Sequence, residues 1–132
     1  MTEFEKTLAY FLESSDNDWK IAQKLFNSRD YAYALFFCHL TLEKLLKYLI
    51  VAKTDKAAPY IHDLVKLSQF ADVELDKNTK EALKEITTFN IAGRYDDEKQ
   101  TFYKKCTKPY AKKYFNITND IYLWLKKDYP KK

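Results

Sequence analysis

The fold of this chain is decided by one stretch, YAYALFFCHLTLEKLLKYLIV, which runs from Tyr31 to Val51. Its apolar side chains recur at the three- and four-residue spacing of an α-helix and form one broad stripe: Tyr31, Ala34, Leu35, Cys38, Leu42, Leu45, Leu46 and Leu49. Phe36 and Phe37 extend the apolar surface around the first half, so neighbours must cover this helix on more than one side. Charged residues between Glu43 and Lys47 interrupt the run before it reaches the ~18 uncharged residues of a membrane span. The stretch therefore predicts a buried central helix of a soluble protein.

Helical spacing predicts further helices on both sides of this central one. Their approximate bounds are Glu3–Ser28, Tyr60–Phe70, Asn78–Ile91 and Thr107–Asp128. Ser15 could cap a separate helix, but the continuous apolar stripe favours one unbroken first helix. Gly93, the single glycine, suits a left-handed residue that closes the fourth helix. The connection Arg94–Cys106 is predicted to be ordered but irregular.

Composition supports an all-α chain, because one glycine and three prolines leave little punctuation for hairpins. A chain of 132 residues is large enough for one domain with a proper core. We predict a single domain over residues 1–132, with its core at about 3–128, folded as an up-and-down bundle of four to five helices. The two cysteines, Cys38 and Cys106, have no metal-like companions, and no export leader is evident, so we expect a cytoplasmic protein.

Charge is distributed unevenly along the chain. Residues 99–132 hold ten lysines against Asp120 and Asp128, whereas the net charge of the whole chain is +4. A basic segment of this kind is typical of contact with nucleic acid or an acidic partner, and a solvated lysine face is the alternative. The eleven tyrosines and nine phenylalanines are similarly open to two interpretations: half-buried positions in helix seams or platforms that stack bases.

Four pieces of sequence, in this order, resemble the HEPN family (higher eukaryote and prokaryote nucleotide-binding domain). The first is residues 11–51, which contain the segments YAYALF and TLEKLLK; the second is HDL at His62–Leu64. The third is a helix followed by IAGRY, and the fourth is the final aromatic and basic helix. The resemblance covers roughly residues 8–127. The family pattern more often has Ala where this chain has Thr41.

The resemblance implies a helical bundle, usually paired as a homodimer and often encoded beside a minimal nucleotidyltransferase in a toxin–antitoxin system. The active toxins of the family are metal-independent ribonucleases with an Arg followed, after four to six residues, by a His. Arg94 occupies the position of that Arg, but no histidine follows His62 in this chain. Such chemistry needs a group that titrates near neutral pH, and an atypical donor such as a lysine or Tyr95 would have to supply it. We therefore expect a protein that is not a ribonuclease or is a weak one.

The remaining candidate residues each have a functional and a structural interpretation. Arg94 and Tyr95 are candidates for phosphate contact and base stacking, although Arg94 could instead pair with Asp96 or Asp97. His39, Glu43 and Lys47 share one helix face, and a Glu43–Lys47 pair is expected. Together with His62 they are candidates for nucleotide or RNA binding, as a polar patch in a dimer cleft, and a polar network in the core is the structural alternative.

His62 could line a cleft or bond a neighbouring carbonyl, and Asp63 favours a helix start. His39 and His62 alone are too few ligands for a metal. We therefore expect neither a metal nor another cofactor.

Five lysines cluster around the start of the final helix: Lys104, Lys105, Lys108, Lys112 and Lys113. Cations at a helix N-terminus oppose the macrodipole, which favours a use such as phosphate contact. The sequence thus favours a HEPN-type protein that binds a nucleotide, RNA or a nucleotidyltransferase partner, with no membrane contact. An endoribonuclease toxin that uses Arg94 and a purely structural dimerisation module are the alternatives.

Overall fold

Six α-helices account for the architecture of residues 1–129, the part of the chain that this computed structural model describes. They are α1 Glu3–Asn27, α2 Tyr31–Thr54, α3 Leu64–Phe70, α4 Lys77–Thr87, α5 Asp96–Lys105 and α6 Lys108–Asp128. No strand occurs within these residues, so the predicted all-α bundle is confirmed. Lys131 and Lys132 of the basic segment lie outside the described residues.

Helix α2 is the centre of the bundle, and the other five helices all pack against it. Leu35, Cys38, Leu42 and Leu46 are fully buried. Because α1, α3, α4, α5 and α6 all contact α2, its apolar surface is covered on several sides. The prediction of a buried central helix is therefore confirmed.

Helix α1 is unbroken and forms a hairpin with α2. Thr2 begins it with a capping box, in which its hydroxyl accepts from the Glu5 backbone N–H and the Glu5 carboxylate accepts from the Thr2 N–H. Ser15 does not cap a second helix, since its buried hydroxyl donates to the carbonyl oxygen of Thr41, 2.7 Å away. The interpretation of residues 3–28 as one helix is confirmed, and Ser15 ties it to α2.

The connection between α2 and α3 returns along the bundle before α3 begins. His62 bonds Glu43 in the middle of α2, whereas Asp72, just after α3, pairs with Lys53 in the last turn of α2. Helix α3 therefore runs in roughly the same direction as α2. This return places the loop that contains His62 against the polar side of α2.

Two predicted boundaries differ from the structure. Helix α3 begins at Leu64 rather than Tyr60, because Asp63 is its N-cap and accepts from the backbone N–H groups of Val65 and Lys66. Helix α4 ends at Thr87, several residues before Gly93. Gly93 does adopt the left-handed conformation, with φ of 77°, but in a separate turn.

The prediction of an irregular connection at Arg94–Cys106 is wrong, because ten of these residues form α5. Three acids, at positions 96–98, occupy its first turn and two lysines occupy its last, an arrangement that complements the helix macrodipole. Phe102 is buried, with its ring centroid 5.7 Å from that of Phe89. Local charge and one buried aromatic residue thus stabilise a helix that has little apolar periodicity.

Among residues 1–129, no helix combines the length and the apolar character that crossing a membrane requires.

Candidate functional site

A buried carboxylate, Glu43, organises the most concentrated group of polar side chains around α2. Its Oε1 atom lies 2.9 Å from His39 Nε2 and 2.8 Å from His62 Nδ1. Its Oε2 atom accepts from the Lys47 ammonium at 3.2 Å. We call these four residues the Glu43 cluster.

Two elements build the Glu43 cluster. His39, Glu43 and Lys47 lie one helical turn apart on α2, so their side chains share one face. His62 comes from the returning loop before α3, 19 residues from Glu43. The other ring nitrogen of His39, Nδ1, lies 3.2 Å from the carbonyl oxygen of Ile86 in α4. The cluster therefore joins α2 to the α3 loop and to the last turn of α4.

The cluster is polar but largely withdrawn from water. His39 is fully buried, and the side chain of Glu43 is nearly so, whereas that of His62 is 57% exposed. Burial acts to raise the pKa of Glu43, but the contacts with His39 and His62 and the charge of Lys47 outweigh it and lower the pKa to about 2. Glu43 is therefore an anion, and His62 is the member through which solvent reaches it.

The helical part of this cluster was predictable, but the approach of His62 was not. The expected Glu43–Lys47 pair is present, because residues four apart on a helix are neighbours. No local pattern relates His62 to Glu43, since their contact depends on how the loop returns. The HDL segment was the one sequence signal that could have drawn attention to it.

Arg94 and Tyr95 lie in the connection between α4 and α5, away from regular helix. Arg94 is half-buried, and its backbone N–H donates to the carbonyl oxygen of Ile91 at 3.2 Å. Within residues 1–129, its guanidinium forms no ion pair, and the considered pairing with Asp96 or Asp97 does not occur. Tyr95 is the N-cap of α5 and is 79% exposed.

The structure divides the predicted lysine cluster into two groups. Lys105 pairs with Glu85 of α4 at 2.7 Å, and Lys113 lies in a cleft that Glu85 also lines. Lys104, Lys108 and Lys112 are exposed and form no ion pair with any residue that the structure describes. We call these three residues the open lysines.

The five lysines do not all oppose a helix macrodipole, as the sequence had suggested. Lys104 and Lys105 occupy the last turn of α5, where a cation is favourable rather than costly. Lys108 and Lys112 do belong to the first part of α6 and lie one turn apart. The unfavourable placement predicted from sequence therefore applies to the α6 lysines and not to those of α5.

Clefts between α4 and α6 do not contain the predicted site. One is lined by Glu74, Asp76 and Asp120 together with Trp124, and the other is the Glu85 cleft described above. Arg94 does not line either of these two clefts. Among the described residues, Lys113 is the one predicted phosphate-binding residue that lines either cleft, whereas the open lysines lie on the surface and Arg94 is half-buried outside both clefts.

Fold and site together define a small all-α bundle with a polar cluster buried on its central helix and open lysines where two helices meet. The family model described as HEPN domain matches residues 8–128, and the chain belongs to the HEPN domain family. The resemblance stated from sequence is thereby confirmed.

One solved structure, the crystal structure of TT1696 from Thermus thermophilus, superposes on this chain with a TM-score of 0.75. The two sequences are 22% identical, and the match covers 91% of this chain and 96% of that one. At this level of identity the similarity establishes a shared fold. A comparison with curated proteins finds no significant match.

Proposed function

We propose that this HEPN-family protein binds a nucleotide or RNA through phosphate contacts and has no ribonuclease activity or a weak one. The observation that carries the proposal is the group of open lysines, Lys104, Lys108 and Lys112, at the junction of α5 and α6. Exposed lysines without acidic partners are available to neutralise phosphate charge. Membership of the HEPN family supports a nucleotide- or RNA-related role.

Arg94 and Tyr95 extend the proposal from charge to recognition. A guanidinium can bind two phosphate oxygens at once, and an exposed tyrosine ring can stack on an unpaired base. The acids that follow Arg94 belong to the first turn of α5, where they stabilise that helix. Their presence therefore has a structural reason that is compatible with phosphate binding by Arg94.

Salt-dependent binding of a labelled single-stranded RNA tests the open lysines. A triple variant, Lys104→Gln, Lys108→Gln and Lys112→Gln, is expected to bind more weakly at low salt. Because each neutralised phosphate contributes roughly 0.7 to the slope of log affinity against log salt for a single strand, the slope should fall by up to about 2.

A matched control removes the same charge elsewhere. Lys66, Lys77 and Lys80 are also exposed and lie on α3 and α4, so their conversion to Gln lowers the net charge equally. The proposal expects this control to retain most of the binding and the original salt slope. Equal losses of RNA affinity in both triple variants would show that binding depends on net charge alone. Unchanged affinity in the first variant would show that the open lysines do not contact the RNA.

An endoribonuclease that uses Arg94 is the second candidate, and the absence of an ion pair at its guanidinium within residues 1–129 supports it. Labelled RNA incubated with the protein and a chelator would test this activity, because the family chemistry is metal-independent. Our proposal expects little or no cleavage. Cleavage that disappears in Arg94→Ala, while binding persists, would favour the ribonuclease and identify Arg94 as its phosphate-contacting residue.

We also propose that the protein is a cytoplasmic homodimer and that a minimal nucleotidyltransferase is its partner in a toxin–antitoxin pair. The family resemblance supports the dimer and the partner, and the two free, buried cysteines are consistent with a reducing compartment. Sedimentation equilibrium would report a mass twice the 15.8 kDa of the chain. A nucleotidyltransferase gene beside the gene for this chain would support the partnership.

A further inference from the structure

Three potential metal ligands of the Glu43 cluster converge on one point. One donor atom from each of His39, Glu43 and His62 lies within 4.8 Å of the others. In the sequence alone, the two histidines have no carboxylate that is known to lie beside both of them. Glu43 is that carboxylate, and its Oε1 atom faces a ring nitrogen from each of them.

His39 is held in the form that a metal ligand requires. Its Nδ1 atom faces the carbonyl oxygen of Ile86, and a carbonyl can only accept, so Nδ1 carries a proton. Nε2 is therefore the ring nitrogen that faces Glu43 Oε1, 2.9 Å away. A metal ion bound between these two atoms would take the place of the proton that joins them when no metal is bound. A backbone carbonyl that orients the second nitrogen is typical of metal-bound histidine.

His62 completes the ligand set and leaves a path to solvent. It approaches Glu43 through Nδ1 from a loop, and its side chain is 57% exposed. Because this side chain is outside the helices and more than half exposed, its ring has room to shift slightly around an ion. Tetrahedral ligands around Zn²⁺ lie about 3.3 Å apart, compared with 2.8–2.9 Å between Glu43 Oε1 and the two ring nitrogens.

We propose that His39 Nε2, Glu43 Oε1 and His62 Nδ1 bind a divalent transition-metal ion of the Zn²⁺ class, with a fourth position open to solvent beside His62. Two imidazoles and one carboxylate suit Zn²⁺ rather than Ca²⁺ or Mg²⁺, which prefer oxygen ligands. Lys47 holds the other carboxylate oxygen at 3.2 Å and thereby fixes which oxygen faces the ion. This inference does not depend on RNA binding.

Calorimetric titration of chelator-treated protein with ZnCl₂ tests the site directly. Wild-type protein is expected to bind one Zn²⁺ per chain and to show a higher melting temperature in its presence. His62→Ala is the decisive variant, because His62 is exposed and outside the helices. It should fold normally by circular dichroism, lose at least about tenfold in Zn²⁺ affinity, and lose the rise in melting temperature.

Glu43→Gln and Cys106→Ser complete the design. The first should also lose affinity, although its buried position makes a folding check necessary. The second is the control, since a thiol is a common zinc ligand but Cys106 lines a different cleft, with Tyr33 and Tyr103, and is not one of the three clustered ligands. This variant should bind Zn²⁺ as the wild type does. Absence of stoichiometric binding to the wild type, or equal binding by His62→Ala, would overturn the proposal.

Co²⁺ gives an independent reading of the ligands. A tetrahedral nitrogen and oxygen site would produce a visible absorption band that His62→Ala lacks. Absorption with the strong sulfur charge-transfer of a thiolate ligand, and its loss in Cys106→Ser, would contradict the proposed ligand set.

Discussion

At the scale of single residues, Glu43 is a buried anion, and the fold must supply partners for both of its carboxylate oxygens. An ionised carboxylate that is buried without partners costs several kcal/mol. Here two imidazoles and one ammonium face its two oxygens, and together they keep its pKa low. The two imidazoles that stabilise the buried carboxylate are also metal ligands. The residues that make burial of Glu43 possible are therefore the residues of the proposed metal site.

The two cysteines give a residue-scale prediction. Burial raises the pKa of both Cys38 and Cys106 to about 12, although Thr118 and Lys105 respectively act to lower it. Because the thiolate is the reactive form and burial keeps both thiols protonated at pH 8, iodoacetamide should label neither residue in the native protein. In concentrated urea both should be labelled rapidly.

Mass spectrometry of the alkylated protein would measure this difference. Cys106→Ser and Cys38→Ser separate the contributions of the two thiols. Fast labelling of native Cys38→Ser, whose remaining thiol is Cys106, would contradict the closed surroundings that the structure gives that residue.

At the scale of elements, the apolar periodicity of each helix determines whether that helix could be predicted from the sequence. Helices α1, α2 and α6 carry long apolar stripes, so their existence and approximate bounds followed from spacing. Helix α5 carries one buried phenylalanine, and capping charges rather than a stripe define it. Likewise the i, i+4 pair of Glu43 and Lys47 was predictable, but the approach of His62 depends on the path of a loop. Local rules do not determine such a path.

Glu85 is the main polar link between α4, α5 and α6. Lys105 and Tyr110 both bond its carboxylate, and although partial burial acts in the opposite direction, these bonds lower the pKa of Glu85. The stabilisation is therefore present above the unfolded pKa of about 4.3 and is lost as pH falls through the lower folded value. Glu85→Gln should cost about 1 kcal/mol at pH 7, with the difference shrinking below roughly pH 4.

Urea unfolding at pH 7 and at acidic pH would measure this dependence. Glu81→Gln is the matched control on the same helix, because Glu81 is exposed and its pair with Lys84 spans 3.4 Å. An exposed pair of this kind contributes little, so the control should change stability slightly at either pH. A Glu85→Gln penalty that stayed constant down to acidic pH would contradict the linkage.

At the scale of the whole molecule, the first and last helices close the bundle by packing on each other. Asp16 of α1 accepts from Tyr122 and from Lys126 of α6, the latter at 2.8 Å. Farther along, the ring of Phe115 stacks on Trp19 and on Phe26, with centroid distances of 4.9 and 4.4 Å. From Asp16 through Trp19 to Phe26, successive residues of α1 contact Lys126, Tyr122 and Phe115 of α6 in turn. Residue numbers rise along α1 while they fall along α6, so the two helices are antiparallel. The basic α5–α6 end is thereby anchored to the first helix.

Phe115→Ala should weaken the whole bundle rather than release α6 alone. Truncating a buried Phe costs about 3–5 kcal/mol, and Phe115 is half-buried, so we expect about 2 kcal/mol. Since Trp19 lies in the core beside it, Trp fluorescence and circular dichroism should report one common urea transition, shifted to lower urea. Phe4→Ala, at an exposed residue of α1, is the control and should leave the midpoint nearly unchanged. If the fluorescence transition preceded the loss of helicity, α6 would unfold as a separate unit, and the surface that carries the open lysines would be only loosely coupled to the core that positions the Glu43 cluster.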